Sequence, residues 1–316
     1  MIGETSRQLR ECFSHRPSHG CCLTWQPQAN AEEWRNDMSV WVEGATGKAG
    51  RRVVAALAAA GIPVRAASRH PAEPSPGVIP VRFDWYDPTT WSAALGDADT
   101  LFVKGLDSAD NASSIISRLI ASAPHARRVV LMSAMGVDRS PEDTPRHAVE
   151  LAVQNAGKEW TILRPNWLMQ NFDEDEGVYA RAIRENDELY AGSGDQVVSF
   201  VDTRDVADAA VIVLSQDGHH QRGYTLTGSK AVTFSHVAEV LGRASGRPIR
   251  HVDANLAEHR AHFARSGRPD AWVDHMMHLF ELVRAGVFAP VTDDVQRLTG
   301  SPPRGLEAYA KEVFSR

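Results

Sequence analysis

The sequence predicts an α/β fold: a doubly wound parallel sheet followed by a smaller mixed α/β part. Three observations predict it. Short apolar runs alternate with helical apolar patterns up to about residue 164, and such runs suit strands buried on both faces by crossover helices. The first run, Val40-Trp41-Val42, ends in Gly44, Gly47 and Gly50 and passes at once into Val53, Val54, Leu57 and Ala58 at helical spacing. Beyond residue 164 the alternation loosens and helical patterns dominate.

Strand, glycine turn and helix in that order give each glycine a physical task. Gly44 permits the tight turn, Gly47 lets backbone approach a pyrophosphate, and Gly50 lets the helix pack closely on the strand. The phosphate charge would sit on the free N–H groups of the helix N-terminus. Thr46, Lys48 and Ala49 complete this cradle. The turn is of the Rossmann type, and it marks residues 38–164 as an NAD(P)-binding domain.

The remaining elements follow in order. Strand two spans Pro63–Ser68, entered through Gly61, and a proline-rich loop covers 71–77. Strand three is Val78–Phe83, ending at Asp84, and a short helix spans Thr89–Leu95. Strand four is Thr100–Val103, followed by a helix over Ala109–Ala121. Strand five, Arg128–Met132, ends at Ser133. A helix over Pro141–Ala156 leads to strand six, Trp160–Leu163. Residues 165–316 are expected to form the substrate-binding part, packed on the first domain. Helices are expected there at Val178–Asn186, Arg204–Ser215, Ser235–Ala244, Ala254–Ala264 and Ala271–Ala285, with short strands at Val197–Val201 and Tyr224–Thr227. Residues 1–37 show no sustained period and are expected to be a disordered extension.

Composition narrows the function. The chain has 316 residues, 43% hydrophobic and 23% charged, ordinary values for a globular protein. Its net charge of −6 argues against nucleic-acid binding, which wants a basic face. The apolar runs are too short to span a membrane, and the N-terminus lacks the apolar centre of a signal peptide, so the cytoplasm is the default compartment. Cys12, Cys21 and Cys22 lie near His15 and His19. No second cysteine pair completes a site and the adjacent pair lacks a spacer, so no metal is expected. His219-His220 reads as a solvent-facing turn.

The end of strand two selects the nucleotide. It reads Ala67-Ser68-Arg69-His70, without the carboxylate that takes a ribose 2′-hydroxyl. A guanidinium beside a hydroxyl suits a 2′-phosphate. The expected cofactor is therefore NADP(H).

The spacing Gly-x-x-Gly-x-x-Gly, written Gly-Ala-Thr-Gly-Lys-Ala-Gly, resembles extended and atypical short-chain dehydrogenases/reductases. Trp160-Thr-Ile-Leu-Arg-Pro-Asn-Trp-Leu-Met-Gln-Asn171 is similar to a signature of the NmrA-like atypical branch, nearest in wording to its festuclavine-dehydrogenase-like and quinone-reductase-like members. The resemblance runs from about Met38 to Asn171, and more weakly to the C-terminus. It implies that Asp84 contacts the adenine amino group. It also implies a catalytic Ser, Tyr and Lys, and here the chain departs from the pattern. Ser133 matches the Ser, and Glu150 matches a Glu that follows the Lys. Counting back puts Arg146 at the Lys and Glu142 at the Tyr, and there is no tyrosine between Tyr86 and Tyr179.

The candidate catalytic residues are therefore Ser133, Arg146 and His147. Arg146 would anchor the nicotinamide ribose, and His147 is the nearest titratable replacement for the phenol. Lys104 stands after strand four, where relatives carry a proline-containing loop, and would approach a phosphate or a substrate anion. Asn171–Gly177 is rich in carboxylates, which at the sheet mouth would attract a cationic substrate; a solvated loop is the plainer reading. Trp272, Met276, Met277, Leu279 and Phe280 follow helical spacing as core or pocket wall.

The resemblance implies an NADPH-dependent reductase of a small unsaturated, quinone-like or iminium substrate, polycyclic or aromatic, in specialised metabolism. Two alternatives stand beside it: a catalytically silent NADP-binding sensor of NmrA type, and a non-redox or coupling enzyme acting on an aromatic natural product. A monomer or homodimer is expected, with no nucleic-acid or membrane partner.

Overall fold

A computed structural model describes residues 38–106, 111–174, 179–265 and 267–315. The expectations for residues 1–37, including Cys12, Cys21, Cys22, His15 and His19, lie outside the described residues. So do those for Ala109, Asp110 and Asp175–Val178.

Seven parallel strands form the central sheet in the order β3-β2-β1-β4-β5-β6-β9. They are β1 (Val40–Glu43), β2 (Val64–Ser68), β3 (Val78–Arg82), β4 (Thr100–Val103), β5 (Arg128–Met132), β6 (Glu159–Pro165) and β9 (Arg222–Leu226). The reversal of strand order between β1 and β4 is the switch point at which such sheets open a crevice. Helices α1 (Lys48–Ala59), α2 (Trp91–Leu95), α3 (Ala112–Ala121) and α4 (Pro145–Gln154) connect the strands. β1, β4 and β5 are buried along their whole length, which explains their unbroken apolar runs. Helix α1 turns Ala49, Gly50, Val53 and Leu57 inward. Full burial of Val53 and Leu57 contributes about 1.5–3 kcal/mol each.

One core fills the helix-covered sheet and includes Trp41, Trp91, Leu101, Leu119 and Val129. The second lies in the C-terminal part, around Trp167, Phe172, Tyr179, Phe234 and Phe280. Met276, Met277 and Phe280 are buried in it, and Trp272 and Leu279 pack against it. Its elements include α5 (Ala180–Asn186), α7 (Phe234–Ser245), α8 (Leu256–Ala264), α9 (Asp270–Arg284) and α11 (Leu306–Phe314). Two small ladders complete it. β7 (Glu188–Tyr190) pairs parallel with β11 (Arg250–Val252), and β8 (Val197–Val198) pairs antiparallel with β10 (Val232–Thr233).

Two elements and one side chain depart most from expectation. The strand near residues 224–227 belongs to the main sheet, because β9 pairs in parallel along β6 from Thr161–Arg222 to Pro165–Leu226. Helix α6 (Thr203–Ser215) leads into it, and the Asp202 carboxylate caps that helix by accepting from the Arg204 N–H at 2.8 Å. Helix α4 begins at Pro145, not Pro141. The stretch before it is held in turns: Ser140 and Thr144 hydroxyls lie 3.0 Å apart, and the Thr144 N–H donates to the Pro141 carbonyl at 3.0 Å. Finally, His219 is half-buried and its Nδ1 lies 2.8 Å from the Tyr224 hydroxyl. Burial lowers its pKa, so only His220 of that pair faces solvent.

Candidate active site

Because the sheet is parallel, the carboxyl ends of its strands share one edge, and the loops leaving them gather the candidate residues. The glycine turn leaves β1, Ser68-Arg69 ends β2, Asp84 follows β3, Lys104 follows β4 and Ser133 follows β5. Helix α4 starts at this same edge, since it must run back to the amino end of β6, so Arg146 and His147 occupy its first turn there.

The glycine turn has the shape of an anion cradle. Gly44 has φ +65°, a conformation that favours glycine. A Cβ on Gly50 would lie 2.1 Å from the Gly44 carbonyl oxygen, so α1 packs against the turn in a way that only glycine permits. A Cβ on Gly47 would meet nothing within 4 Å except that same oxygen at 3.3 Å, leaving its outer side open. Thr46 is exposed at the apex and Ala49 is buried. The N-terminus of α1 has no side-chain cap and no acidic residue in its first turn, so its positive end faces the mouth. Lys48 Nζ donates to Asn171 Oδ1 at 3.0 Å, tying the glycine turn to the end of the signature segment.

Two buried hydroxyls at this edge have no hydrogen-bond partner, Ser68 Oγ and Ser133 Oγ. Buried polar groups are rarely left unpaired, and these two stand at the ends of β2 and β5 where the phosphate-binding and reacting ends of a dinucleotide were expected. Arg69 beside Ser68 is exposed. Asp84 Oδ1 accepts from the Tyr86 N–H at 3.0 Å, so one carboxylate oxygen shapes the turn. The Lys104 side chain is exposed, while its backbone N–H is bonded to Glu43. Together, the open cradle, the uncapped helix and the unpaired hydroxyls fit a bound dinucleotide.

The reacting side is organised differently. His147 Nδ1 lies 2.7 Å from the Ser140 carbonyl oxygen. A carbonyl only accepts, so Nδ1 carries the hydrogen and Nε2 of the neutral ring keeps a lone pair. Glu142 is exposed in the turn before α4, neither on the helix nor capping it. Glu150 is fully buried and grips Arg164, with Nε to Oε1 at 3.0 Å and Nη2 to Oε2 at 2.5 Å. This assigns the arginine of the Thr-Ile-Leu-Arg-Pro segment a structural task. Asn166 Nδ2 donates to Ser199 Oγ at 2.7 Å and to the Phe288 carbonyl at 2.9 Å, joining the end of β6 to the C-terminal part. Tyr179 stacks on Trp167 with ring centroids 6.2 Å apart, and burial pushes its phenol well above the usual range.

The described part of the acidic stretch faces α1 and α11. Glu174 pairs with Arg51 at 2.5 Å and Arg52 at 2.8 Å, and Asp173 accepts from the Tyr309 hydroxyl. Neither carboxylate is a free lure for a cation. The residue that sequence reasoning missed is Glu43. It is buried at the end of β1, and its Oε1 accepts from Trp85 Nε1 at 3.2 Å. Its only sequence signal is a carboxylate directly before the glycine turn. A surface recess of about 390 Å³ lies around Gly157–Trp160 and His220-Gln221, at the opposite edge of the sheet. Among the described residues no cluster of three or more His, Cys, Asp or Glu could hold a metal ion, and no helix is long and apolar enough to cross a membrane.

Residues 44–217 match an NAD(P)H-binding family model. The chain is 33% identical over 281 residues to an NAD(P)H azoreductase of Xenophilus azovorans, covering 86% of this chain and 96% of that protein. It is 28% identical over 283 residues to agroclavine dehydrogenase of Claviceps fusiformis, covering 87% and 97%. The chain belongs to this NAD(P)H-binding family, and it shares the fold of the regulator NmrA, solved with NAD, with a TM-score of 0.68 at 16% identity, over 89% of this chain and 96% of that one. An NADPH-dependent quinone oxidoreductase of Escherichia coli, solved with NADPH, shares the fold with a TM-score of 0.73 at 22% identity, over 88% of this chain and 99% of that one. The protein is an NAD(P)H-dependent oxidoreductase, and the open cradle at the end of β1 is where the family match begins.

Proposed function

We propose that this protein is an NADPH-dependent reductase of a small, electron-poor acceptor, quinone-like, iminium or otherwise unsaturated, whose product needs no proton from a protein acid at the moment of reduction. The observation that carries the reading is the start of α4. The position of the usual phenol is Glu142, exposed before the helix, and the position of the usual lysine is Arg146 in its first turn. Ketone reduction leaves a localised alkoxide that demands a positioned acid. A quinone delocalises the incoming charge, and an iminium loses charge altogether.

When bound, reduced nicotinamide supplies the hydride. The N–H groups at the start of α1, with Gly47, hold the diphosphate, and Ser68 and Arg69 take the 2′-phosphate. Ser133 and Arg146 orient the ribose or the acceptor, and Lys104 flanks the phosphates. His147 in its neutral form offers Nε2 as an acceptor and donates there only as an imidazolium. The aromatic side chains that follow β6 suit a flat polycyclic acceptor, a reading supported by relatives named for azo and clavine substrates. The clavine relatives also favour a place in specialised metabolism.

The test is a calorimetric titration with NADPH and NADH, followed by a panel of quinones and cyclic iminium compounds while the absorbance of the reduced cofactor is recorded. Tighter NADPH binding with acceptor-dependent oxidation is expected. Binding without oxidation by any acceptor would favour the silent sensor, which the missing phenol also fits. Product formed without net NADPH loss would favour the non-redox enzyme.

A further inference from the structure

Glu43 ends β1 directly beneath the glycine turn. It is only 9% exposed, yet it stands beside a cradle shaped for anions. Its carboxylate carries the neighbouring loops. Oε1 accepts from the Trp85 indole N–H at 3.2 Å, and Oε2 accepts from the Lys104 backbone N–H at 3.0 Å; the Gly105 backbone N–H also bonds to the carboxylate. The strand order is β3-β2-β1-β4, so Trp85, which follows β3, must reach across the carboxyl end of β2 to touch Glu43. One side chain thus holds the loops on both sides of the nucleotide crevice.

The charged groups around it are few. Lys104 on the loop after β4 attracts the carboxylate and opposes the effect of burial. Asp84 beside Trp85 is turned to the Tyr86 amide, and Lys48 on α1 is bonded to Asn171. Arg69 at the end of β2 is exposed. Burial outweighs these and raises the Glu43 pKa above the ordinary carboxylate value. Phosphates docking in the cradle add like charge in a low-dielectric setting, which disfavours the ionised form further.

We propose that Glu43 is a positioning residue that latches the Trp85 and Lys104 loops as a carboxylate and takes a proton from solvent as the dinucleotide phosphates dock. The proposal rests on the glycine turn being the dinucleotide site. Linkage is reciprocal: if docking favours protonation, protonation favours docking. Docking raises the Glu43 pKa, so the bound state holds more protons. Affinity for NADPH therefore strengthens as pH falls from the bound-state pKa towards the free-state pKa, and flattens below it.

The test is calorimetric titration of the full chain with NADPH from pH 5 to pH 8, in pairs of buffers with different ionisation heats. The pairs give the protons taken up per NADPH bound. The 2′-phosphate titrates as well, so the readout is the difference between wild type and Glu43→Gln, in which that contribution cancels. Wild type should take up about half a proton more at its maximum, and its affinity should vary more steeply with pH. Trp85→Phe removes one donor to the carboxylate and should move the uptake maximum to higher pH, which keeps a test should Glu43→Gln not fold. Equal uptake in wild type and Glu43→Gln, or an unmoved maximum in Trp85→Phe, overturns the latch while leaving the site reading intact. A wild type that binds no NADPH overturns both.

Discussion

The nucleotide half of the sheet mouth and its reacting half are built on different terms. Around β1 and β2 the site is mostly backbone, with capacity left over: an uncapped helix N-terminus, an open side at Gly47, an unpaired Ser68 hydroxyl and an exposed Arg69. Around β5, β6 and α4 the polar side chains are largely engaged with one another. Glu150 grips Arg164, His147 is tied to Ser140, and Asn166 bridges to Ser199 and Phe288. The Ser133 hydroxyl is left unpaired there. On the function proposed above, the difference teaches that a fold can keep a nucleotide cradle while the place of proton chemistry becomes scaffold, which shifts the demand for reactivity onto the acceptor.

The largest effect tests the scaffold. Arg164→Leu leaves the buried Glu150 carboxylate without its partner and should cost about 3–5 kcal/mol, read as a large fall in thermal midpoint. Replacing both residues by leucine should recover most of that loss, since a buried pair exchanged for apolar side chains is often neutral. A single variant that melts like wild type would mean the pair is not structural and would free Glu150 for chemistry. Next comes the cradle. Arg69→Ala should weaken NADPH by roughly 10–100-fold, the value of a charge-assisted contact, with NADH little changed. Equal loss for both nucleotides would break the 2′-phosphate assignment and with it the picture of a half built for one cofactor.

The legibility of the two halves differs for the same reason. A glycine turn is written in the sequence because the positive φ at Gly44 favours glycine and the close approach at Gly50 leaves no room for a Cβ. The buried strands were readable as apolar runs. Strand β9 was readable only from Tyr224 onward and its place in the main sheet was not, since Arg222 and Gly223 lie exposed and carry no alternation. Even so, a Cβ on Gly223 would come within 2.3 Å of the Arg164 guanidinium, a constraint visible only once β9 is beside β6. The start of α4 was misplaced because Pro141 and Pro145 are equally good first-turn residues, and side-chain bonds from Ser140 and Thr144 choose between them. Glu43 reads in sequence like any strand-end carboxylate, and its task depends on two loops from distant positions. The ladder of β7 with β11 joins segments some sixty residues apart, which local pattern does not reveal.

The smallest expected effect is the sharpest test of the contrast. His147→Asn can keep a donor to the Ser140 carbonyl while removing the titrating ring. A positioned general acid is worth about 10²–10⁴-fold. If the reacting half is scaffold, kcat with a quinone or an iminium acceptor should fall by less than about 10-fold, and its pH profile between pH 6 and pH 8 should keep its shape. The NADPH dissociation constant should stay near wild type, because the contact His147 makes is with the Ser140 carbonyl and the variant keeps it. A fall of about 100-fold or more, with a pH inflection present in wild type and absent in the variant, would make His147 the acid. The imidazolium would then donate from Nε2 while Ser140 steadies Nδ1, and the tie to Ser140 would be part of catalysis rather than a sign that the residue is otherwise engaged.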